Sequence, residues 1–389
     1  MNTNTLTNKL VNALYGDRVI WTVMVILGLF SLLAVYSATG TLAYKETGGN
    51  TESFLIKHGL ILGLGILITY IVHLLHYMTF SKSAPLLLLI SIPLLIYTIL
   101  FGAEYNDARR WISLPWVGVT FQSSDFAKLA LIIYVAKAIS AKQDIIKDFN
   151  SAFIPIILPI IIVCGLIAPA DLSSALLLFF TSFLMMFVGR VSTKYLILLL
   201  MLGVVMFSFL IILGQFFPEA IRLETWVSRM NDFITNPEGG YQVRQSKIAI
   251  ASGEWIGMGP GNSIQRNYLP APYSDFIYAI ICEEYGLVGG FSVIILYLIL
   301  FIRVTRLVTK SPKAFGAMLA FGLAMSMIVQ AFANIAVSVH LVPVSGVTLP
   351  LISMGGTSVL FTSISFGIIL SVSKFIESLK SVQGYAKNQ

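Results

Sequence analysis

The feature that most constrains this chain is an apolar run of about twenty residues, which recurs from one end of the sequence to the other. A helix of about 20 apolar residues is long enough to cross the hydrocarbon core of a bilayer. Only 11% of the 389 residues are charged, whereas soluble domains carry about 25%. The sequence therefore predicts an all-α polytopic membrane protein in which no polar block is long enough to fold alone.

Ten transmembrane helices are predicted from these runs. Their ranges are 19–39, 54–75, 84–102, 122–139, 151–169, 172–189, 194–215, 275–303, 314–338 and 349–376. We expect a single membrane domain over residues 1–389. Its parts outside the bilayer are the N-terminus (1–18), a large loop between the seventh and eighth helices (216–273) and a C-terminal tail (377–389).

The distribution of Lys and Arg predicts the orientation of the helices. An even number of spans places both termini on one side of the membrane, and cytoplasmic loops are enriched in positive residues. If the termini are cytoplasmic, the inner segments hold fifteen Lys and Arg residues, and the short outer loops hold four, which are Lys45, Lys57, Arg109 and Arg110. We therefore expect cytoplasmic termini and an extracytoplasmic loop 216–273. The net charge of +7 reflects this orientation and does not indicate a nucleic-acid partner.

Within the large loop, the stretch IRLETWVSRMNDFI has the apolar periodicity of an amphipathic helix. Its apolar face contains Leu223, Trp226 and Met230, and its polar face contains Glu224 and Asp232. The pattern fits a helix lying in the outer membrane interface. It fits equally well a helix packed on the bundle, and the spacing does not decide between the two.

Three acidic residues stand near the start of the eighth predicted span, where charge is costly. Asp275 lies at its outer end, where a carboxylate commonly caps a helix. The same carboxylate could act as a general base for a substrate hydroxyl at headgroup depth. Glu283 and Glu284 lie about 12–13 Å further along the helix, and helical geometry points them to different faces. We expect at least one of them to face the bundle interior in a structural ion pair or against backbone groups.

Other polar residues also map to the outer side. Arg109 and Arg110 suit phosphate recognition, although two arginines beside tryptophans also suit a lipid-headgroup anchor. Asp125 and Lys128 are spaced i, i+3 and are expected to pair on one helix face. Asp171 is expected to be a helix N-cap.

The stretch 343–356 is rich in Pro, Gly, Ser and Thr within an otherwise apolar region. Irregular backbone at membrane depth occurs only where it faces protein or a watery cavity. The chemistry of this chain is therefore expected on one face of the membrane, where a substrate with a lipid anchor and a polar end would meet it.

Several motifs, taken in order along nearly the whole chain, resemble the SEDS family (shape, elongation, division and sporulation). They are ARRWI (108–112), FQSSDFAKLAL (121–131), ADLSSALL (170–177), YQVRQSKIAIASGEWIGMGPGNSIQ (241–265), LPAPYSDFIYAIICEEYGLVGG (269–290) and VPVSGVTLPLISMGGTS (342–358). The GPGNSIQ stretch is more similar to the FtsW branch of the family than to the RodA branch.

The resemblance implies a ten-helix fold and peptidoglycan glycosyltransferase activity, in which lipid II is polymerised at the outer membrane face. It implies that Asp275 is the catalytic base that deprotonates the acceptor sugar hydroxyl. It further implies substrate-binding roles for a set of polar residues, namely Arg109, Arg110, Lys128, Asp171, Arg244, Gln245 and Ser246.

The same resemblance implies the partners and the cell compartment. The partners are a class B penicillin-binding protein that supplies the transpeptidase step, other divisome proteins and membrane lipids, and the compartment is the bacterial cytoplasmic membrane. No side-chain metal site is predicted, and a divalent cation (Mg²⁺ or Mn²⁺) that assists pyrophosphate departure is the one cofactor considered. Two other functions stay open, a lipid II flippase and a polymerase for elongation instead of septation.

Overall fold

The computed structural model describes residues 15–48, 50–105, 108–114, 119–216 and 223–387. Long helices dominate the fold. They are α1 (Arg18–Ala38), α2 (Gly40–Thr47), α3 (Thr51–Leu74), α4 (Met78–Phe101), α5 (Ser123–Ala141), α6 (Ile154–Ile167), α7 (Leu172–Val188), α8 (Thr193–Phe216), α9 (Leu223–Thr235), α10 (Tyr241–Ser252), α11 (Ile277–Lys310), α12 (Ala314–Ser338) and α13 (Gly356–Lys387).

Within the described residues, eight helical segments are long and apolar enough to cross a membrane. They are α1, α3, α4, Phe149–Ile167, α8, α11, α12 and the first part of α13, Gly356–Leu379. The chain is therefore a multi-pass membrane protein. The remaining two predicted spans, 122–139 and 172–189, also form helices, α5 and α7. Helix α7 has only 17 residues, and α5 carries Asp125, Lys128 and Lys137.

A small antiparallel sheet corrects the all-α prediction. It consists of β1 (Ala103–Tyr105), β2 (Ala108–Leu114) and β3 (Val119–Gln122), paired in that order. In the register, Trp111 pairs with Gln122 and Leu114 pairs with Val119. Because β3 leads directly into α5, the sheet fixes the position of Arg110 relative to the start of that helix.

The amphipathic helix predicted in the large loop is α9. The Trp226 ring stacks on Phe207 of α8, with the centroids 6.4 Å apart, while Val227, Met230 and Ile234 remain exposed. Helix α9 therefore packs on the bundle through part of its apolar face, since Phe233 also contacts His340, and Val227, Met230 and Ile234 remain uncovered by the described residues.

The part of the large loop after α10 returns into the bundle, which the sequence did not reveal. We call residues 253–268 the inserted loop. Its backbone is hydrogen-bonded to α11, with Met258 N donating to Glu283 O at 2.9 Å and Leu287 N donating to Glu254 O at 2.9 Å. The partners in α11 lie six to ten residues after its start, which is about 9–15 Å along the helix. Irregular backbone at this depth is tolerated because its polar groups are hydrogen-bonded to α11, while the apolar side chains of Trp255 and Ile256 stay exposed.

A break in α11 makes room for the inserted loop. Gly286 has φ 65° and ψ −168° in the middle of the helix, a conformation open essentially only to glycine. A Cβ at this position would lie 2.3 Å from Trp255 O. The glycine is therefore required both by the backbone geometry and by the close approach of the loop.

Candidate functional site

Asp275 lies at the end of the large loop, two residues before α11 begins. The N-cap of α11 is Phe276, and no side chain caps the helix. The Asp275 carboxylate instead accepts a hydrogen bond from Ser274 Oγ at 2.9 Å. The helix-capping role that the spacing allowed is therefore wrong, and the carboxylate is not used to satisfy the helix end.

The backbone around Asp275 is held by the irregular stretch between α12 and α13. Asn334 Nδ2 donates to both Asp275 O and Val347 O at 2.7 Å. Ser353 Oγ donates to Ser274 O at 2.6 Å, and Met354 N donates to Tyr273 O at 2.9 Å. The Pro- and Gly-rich stretch thus holds the backbone that carries the carboxylate. Its irregular backbone packs against protein, as predicted.

Gly346 lies close to the second oxygen of the Asp275 carboxylate. A Cβ on this residue would lie 3.6 Å from Asp275 Oδ2, and its φ of 68° favours glycine. The segment before Gly346 therefore passes directly beside the carboxylate.

Two arginines and one further acid act electrostatically on Asp275. Burial raises the pKa of its carboxyl above the ordinary value, whereas the hydrogen bond from Ser274 and the positive charges of Arg229 and Arg110 lower it, and Asp171 adds to the rise. The side chain nevertheless keeps part of its surface accessible. A half-buried carboxylate with a raised pKa is a stronger base than a surface aspartate.

Arg110 and Asp171 form the polar neighbourhood of this carboxylate. Arg110 Nε donates to Ala170 O at 2.8 Å, and Arg110 Nη1 lies 3.5 Å from Asp171 Oδ2. Asp171 caps α7 as predicted, since its carboxylate accepts from Ser174 N at 3.1 Å. Strand β2 and the start of α7 thus bring these two residues together.

A second ion pair lies on the first turn of α5. Lys128 Nζ is 2.8 Å from Asp125 Oδ1, and both side chains are largely buried. Lys128 also interacts electrostatically with Asp171 and Arg110. The charges of α5, β2 and α7 therefore form one cluster on the same side of the bundle.

A cavity of about 660 Å³ opens beside this cluster, and we call it the apolar cavity. Its polar wall contains Arg110, Asp171, Ser173, Arg229 and Ser345. Most of the remaining wall is apolar and is formed by Leu172, Leu176, Leu177, Phe207, Ile211, Trp226, Val227, Met230, Ile234, Ala333, Val342, Pro343 and Val344. Asp275 stands next to this wall, because Gly346 follows Ser345 directly.

Arg229 and Ser345 were missed as site residues in the sequence. Arg229 Nη1 donates to Val344 O at 3.2 Å across 115 residues of chain. A signal was present, since Arg229 lies three residues after Trp226 and borders the apolar face of the amphipathic helix. The buried Ser345 Oγ has no hydrogen-bond partner among the described residues, and no sequence pattern pointed to it.

The other predicted substrate-binding residues lie elsewhere. The Ser246 hydroxyl is buried and donates to Ser338 O at 2.8 Å, so its predicted contact with substrate is corrected to a link between α10 and α12. Arg244 forms an exposed ion pair with Glu238 at 3.1 Å, and Gln245 is half-buried on α10. Arg109 is exposed on β2. For Arg109, Arg244 and Gln245 the substrate-binding role stays a prediction.

The prediction that at least one of Glu283 and Glu284 is buried is confirmed for both, with exposed fractions of 0% and 1%. Glu283 accepts hydrogen bonds from Ser263 Oγ, Ile264 N and Gln265 N. It is therefore held against backbone groups, one of the two arrangements expected, and the ion pair that was the other expectation is not found at Glu283 among the described residues.

Glu284 accepts from Ser263 N at 3.2 Å and from Ser37 Oγ. The positive charge of Arg266 lies near enough to act on it electrostatically. The two glutamates thus fasten the inserted loop and α1 to α11.

The comparisons with known proteins agree with this geometry. The model of the FtsW, RodA and SpoVE family, described as cell cycle proteins, matches residues 17–378. The chain is similar to a probable peptidoglycan glycosyltransferase FtsW of Geobacter sulfurreducens, with 32% identity over 92% of this chain and 95% of that protein. It is also similar to stage V sporulation protein E of Bacillus subtilis, with 31% identity over 92% of this chain and 97% of that protein.

Two solved structures share the fold. One was reported under the heading of structural coordination of polymerization and crosslinking by a peptidoglycan synthase complex, and it has a TM-score of 0.71 with 23% identity over 93% of this chain and 98% of that chain. The other is the rod shape determining protein RodA of Thermus thermophilus, with a TM-score of 0.65 and 23% identity over 92% of this chain and 97% of that chain. The chain therefore belongs to the SEDS family, the FtsW, RodA and SpoVE family of cell cycle proteins.

Proposed function

We propose that this protein is a peptidoglycan glycosyltransferase that polymerises lipid II into glycan strands during septal cell-wall synthesis. The family and the names of the relatives support this activity. The structural observation that carries the proposal is Asp275, a carboxylate that caps no helix, feels the positive charges of Arg229 and Arg110, and lies close to Gly346, the residue after Ser345 in the wall of the apolar cavity.

The geometry suggests a role for each part of the site. Asp275 accepts the proton of the acceptor sugar hydroxyl, and the hydroxyl oxygen then forms a bond to the anomeric carbon of the donor. The bond between that carbon and the lipid pyrophosphate breaks. Arg110 and Arg229 stabilise the negative charge that develops on the leaving pyrophosphate. The apolar wall accommodates the first part of the lipid chain.

We propose that a divalent cation at this site would be held mainly by the pyrophosphate, as Mg²⁺ commonly is, because few side chains are available to ligate it. Among the described residues lining the apolar cavity, Asp171 is the one carboxylate, and it is already paired with Arg110. No group of three His, Cys, Asp or Glu residues in the described segments is arranged to hold a metal. The positive charge of the proposed site comes from arginine side chains.

The membrane topology is part of the proposal. We place ten helices across the bacterial cytoplasmic membrane by adding α5 and α7 to the eight long apolar segments, with both termini in the cytoplasm. The loop 216–273 then lies outside, between the seventh and eighth helices, within a single domain of residues 1–389. This arrangement puts Asp275 and the apolar cavity at the outer leaflet.

The proposed partners follow from the reaction. The glycan strands that this protein makes must be crosslinked by a separate activity. We assign that activity to a class B penicillin-binding protein within a set of division proteins. The structural neighbour that coordinates polymerization and crosslinking is consistent with this assignment.

The activity is tested with purified protein in liposomes supplied with fluorescent lipid II, and polymer is resolved on a gel. We expect glycan strands from the wild-type protein together with its crosslinking partner. If lipid II crosses the bilayer and no polymer forms, the protein is a flippase. If the gene supports elongation and not septation in a depletion strain, the septal assignment is wrong.

We expect Arg229→Ala to lower kcat about 10- to 100-fold, because a charge-assisted hydrogen bond to the leaving group contributes about 1.5–3 kcal/mol. The effect is measured as the initial rate of lipid II consumption at saturating substrate. Arg306→Ala is the matched control, since Arg306 is an exposed arginine of α11 far along the helix from Asp275. Equal rates for the two variants would remove Arg229 from the proposed site.

The rate is also expected to depend on pH through Asp275. Only the ionised carboxylate accepts a proton, so kcat/KM falls as the pH decreases through the raised pKa of Asp275, above the usual value of about 3.9. Ser274→Ala removes a donor that stabilises the anion, so it raises the pKa of Asp275 further and moves this acidic limb to higher pH. Ser228→Ala, at an exposed serine of α9, is the control. Superimposable pH profiles for both variants would contradict the assignment.

A further inference from the structure

A second cavity, of about 210 Å³, shares Arg229, Pro343 and Val344 with the apolar cavity, and we call it the polar cavity. Its wall comes from α9, the first turn of α10 and the segment after α12. Its polar and aromatic side chains are Arg229, Asp232, Phe233, Tyr241, Gln242 and His340. The mechanism above uses only Arg229 of these, so the cavity needs an explanation of its own.

The lining of the polar cavity differs in kind from that of the apolar cavity. It carries one cation and one anion, Arg229 and Asp232, together with the amide of Gln242. A pair of opposite charges does not favour an anionic ligand. Charged and amide groups together offer both donors and acceptors, which suits a neutral ligand rich in hydroxyl and amide groups.

Aromatic rings complete the wall. The His340 ring packs edge-on against Phe233, with the centroids 5.2 Å apart, and Tyr241 lies on the rim with more than half of its surface exposed. His340 is held with φ 62°, an unusual backbone conformation for a residue with a side chain. Flat apolar faces beside hydrogen-bonding groups match a sugar ring, which has an apolar face and a polar edge.

The size of the cavity admits more than a single water. One water needs about 10–15 Å³ of cavity volume, so a cavity of about 210 Å³ has room for a small organic group. The first turn of α10 also has no side-chain cap, so its backbone N–H groups add to the donors near Tyr241 and Gln242.

The polar cavity is connected to Asp275 by a short stretch of backbone. His340, Pro343 and Val344 line the polar cavity, and the last two of them also line the apolar cavity. Gly346, where a Cβ would lie 3.6 Å from Asp275 Oδ2, follows Val344 by two residues. Two residues span at most about 7 Å, so the wall that the two cavities share lies close to the reacting carboxylate.

We propose that the polar cavity is a saccharide subsite that holds an N-acetylhexosamine ring of the glycan, next to the ring that reacts at Asp275. This inference rests on the proposed function, since it assigns the non-lipid part of the same substrate. The ring comes either from the growing strand or from the acceptor disaccharide, and both present the same hydroxyl and acetamide groups. Arg229 contacts both cavities and therefore lies between sugar and pyrophosphate.

The subsite is tested by binding and not only by activity. Protein in lipid nanodiscs is titrated with chitotetraose, a soluble β-1,4-linked N-acetylglucosamine oligomer, and binding is followed by saturation-transfer NMR. We expect the wild-type protein to bind it and the Kd to rise at least tenfold in Asp232→Asn and in Gln242→Ala. Glu224→Gln is the matched control, because Glu224 is an exposed acid of the same helix α9 that lines neither cavity.

The source of the ring is separated by product analysis. If the growing strand occupies the subsite, Asp232→Asn gives shorter glycans and leaves the KM for lipid II unchanged. If the acceptor occupies it, the same variant raises the KM for lipid II.

Three results would overturn the proposal. One is the absence of chitotetraose binding, another is binding that Asp232→Asn and Gln242→Ala leave unchanged, and the third is displacement of the sugar from this cavity by inorganic pyrophosphate. Failure of the proposed function looks different. In that case the wild-type protein makes no polymer from lipid II, whereas chitotetraose binding still depends on Asp232.

Discussion

Asp275→Asn is expected to reduce glycan polymerisation by a factor of about 10²–10⁴, the usual contribution of a positioned general base. Asparagine has the same shape as aspartate, and its Oδ1 can still accept the hydrogen bond from Ser274 Oγ. The backbone contact from Asn334 is unaffected by this change. The variant therefore keeps the site and loses only the group that takes the proton.

The measurement is the rate of polymer formation from lipid II, with the melting temperature in detergent as the check on folding. Asp144→Asn is the control, because Asp144 is an exposed acid in a short turn after α5. If Asp275→Asn retains more than a tenth of the wild-type rate, another group must accept the proton.

Gly286→Ala is expected to destabilise the folded protein by at least about 3 kcal/mol, because an alanine at φ 65° and ψ −168° is strained by itself. Its Cβ would also lie 2.3 Å from Trp255 O and 2.5 Å from Ile256 N. These are backbone atoms that cannot move aside without breaking the hydrogen bonds of the inserted loop. We expect a large loss of folded protein from membranes and a lower melting temperature.

Gly28→Ala provides the matched comparison within a membrane helix. Gly28 lies in α1, and no atom is found within 4 Å of the position where its Cβ would be. A glycine-to-alanine change inside a helix usually stabilises by about 0.5–1 kcal/mol. Similar melting temperatures for Gly286→Ala and Gly28→Ala would show that the kink is not required.

The membrane helices were the predictable part of the fold, because apolar length alone determines what crosses a bilayer. The small sheet was not predicted, since ARRWISL also fits a headgroup anchor and its strands depend on pairing with residues 119–122. The inserted loop was missed for a similar reason. Its glycines and its polar residues read as an outer loop, and only the contacts with Glu283 and Glu284 show that it returns into the bundle.

In the candidate site as well, contacts between residues close in sequence were predictable, and contacts between distant residues were not. The cap at Asp171 and the pair of Asp125 with Lys128 are contacts of three residues or fewer along the chain, so spacing predicted them. Whether Asp275 capped α11 could not be decided from spacing, because a cap and a free carboxylate look identical in sequence. Arg229 reaches its place through a contact with Val344, which no local pattern contains.

The attachment of the inserted loop to α11 has a consequence for how this chain can vary in length. Glu283 is fixed by the loop, Asp275 is fixed by Asn334, and Ser274 is fixed by Ser353, so the turns between residues 275 and 283 are tied at both ends. One residue added or removed there would rotate one end relative to the other by about 100° and shift it by about 1.5 Å. Substitutions can therefore be tolerated between residues 276 and 282, whereas insertions and deletions cannot. The surface loops elsewhere can tolerate insertions.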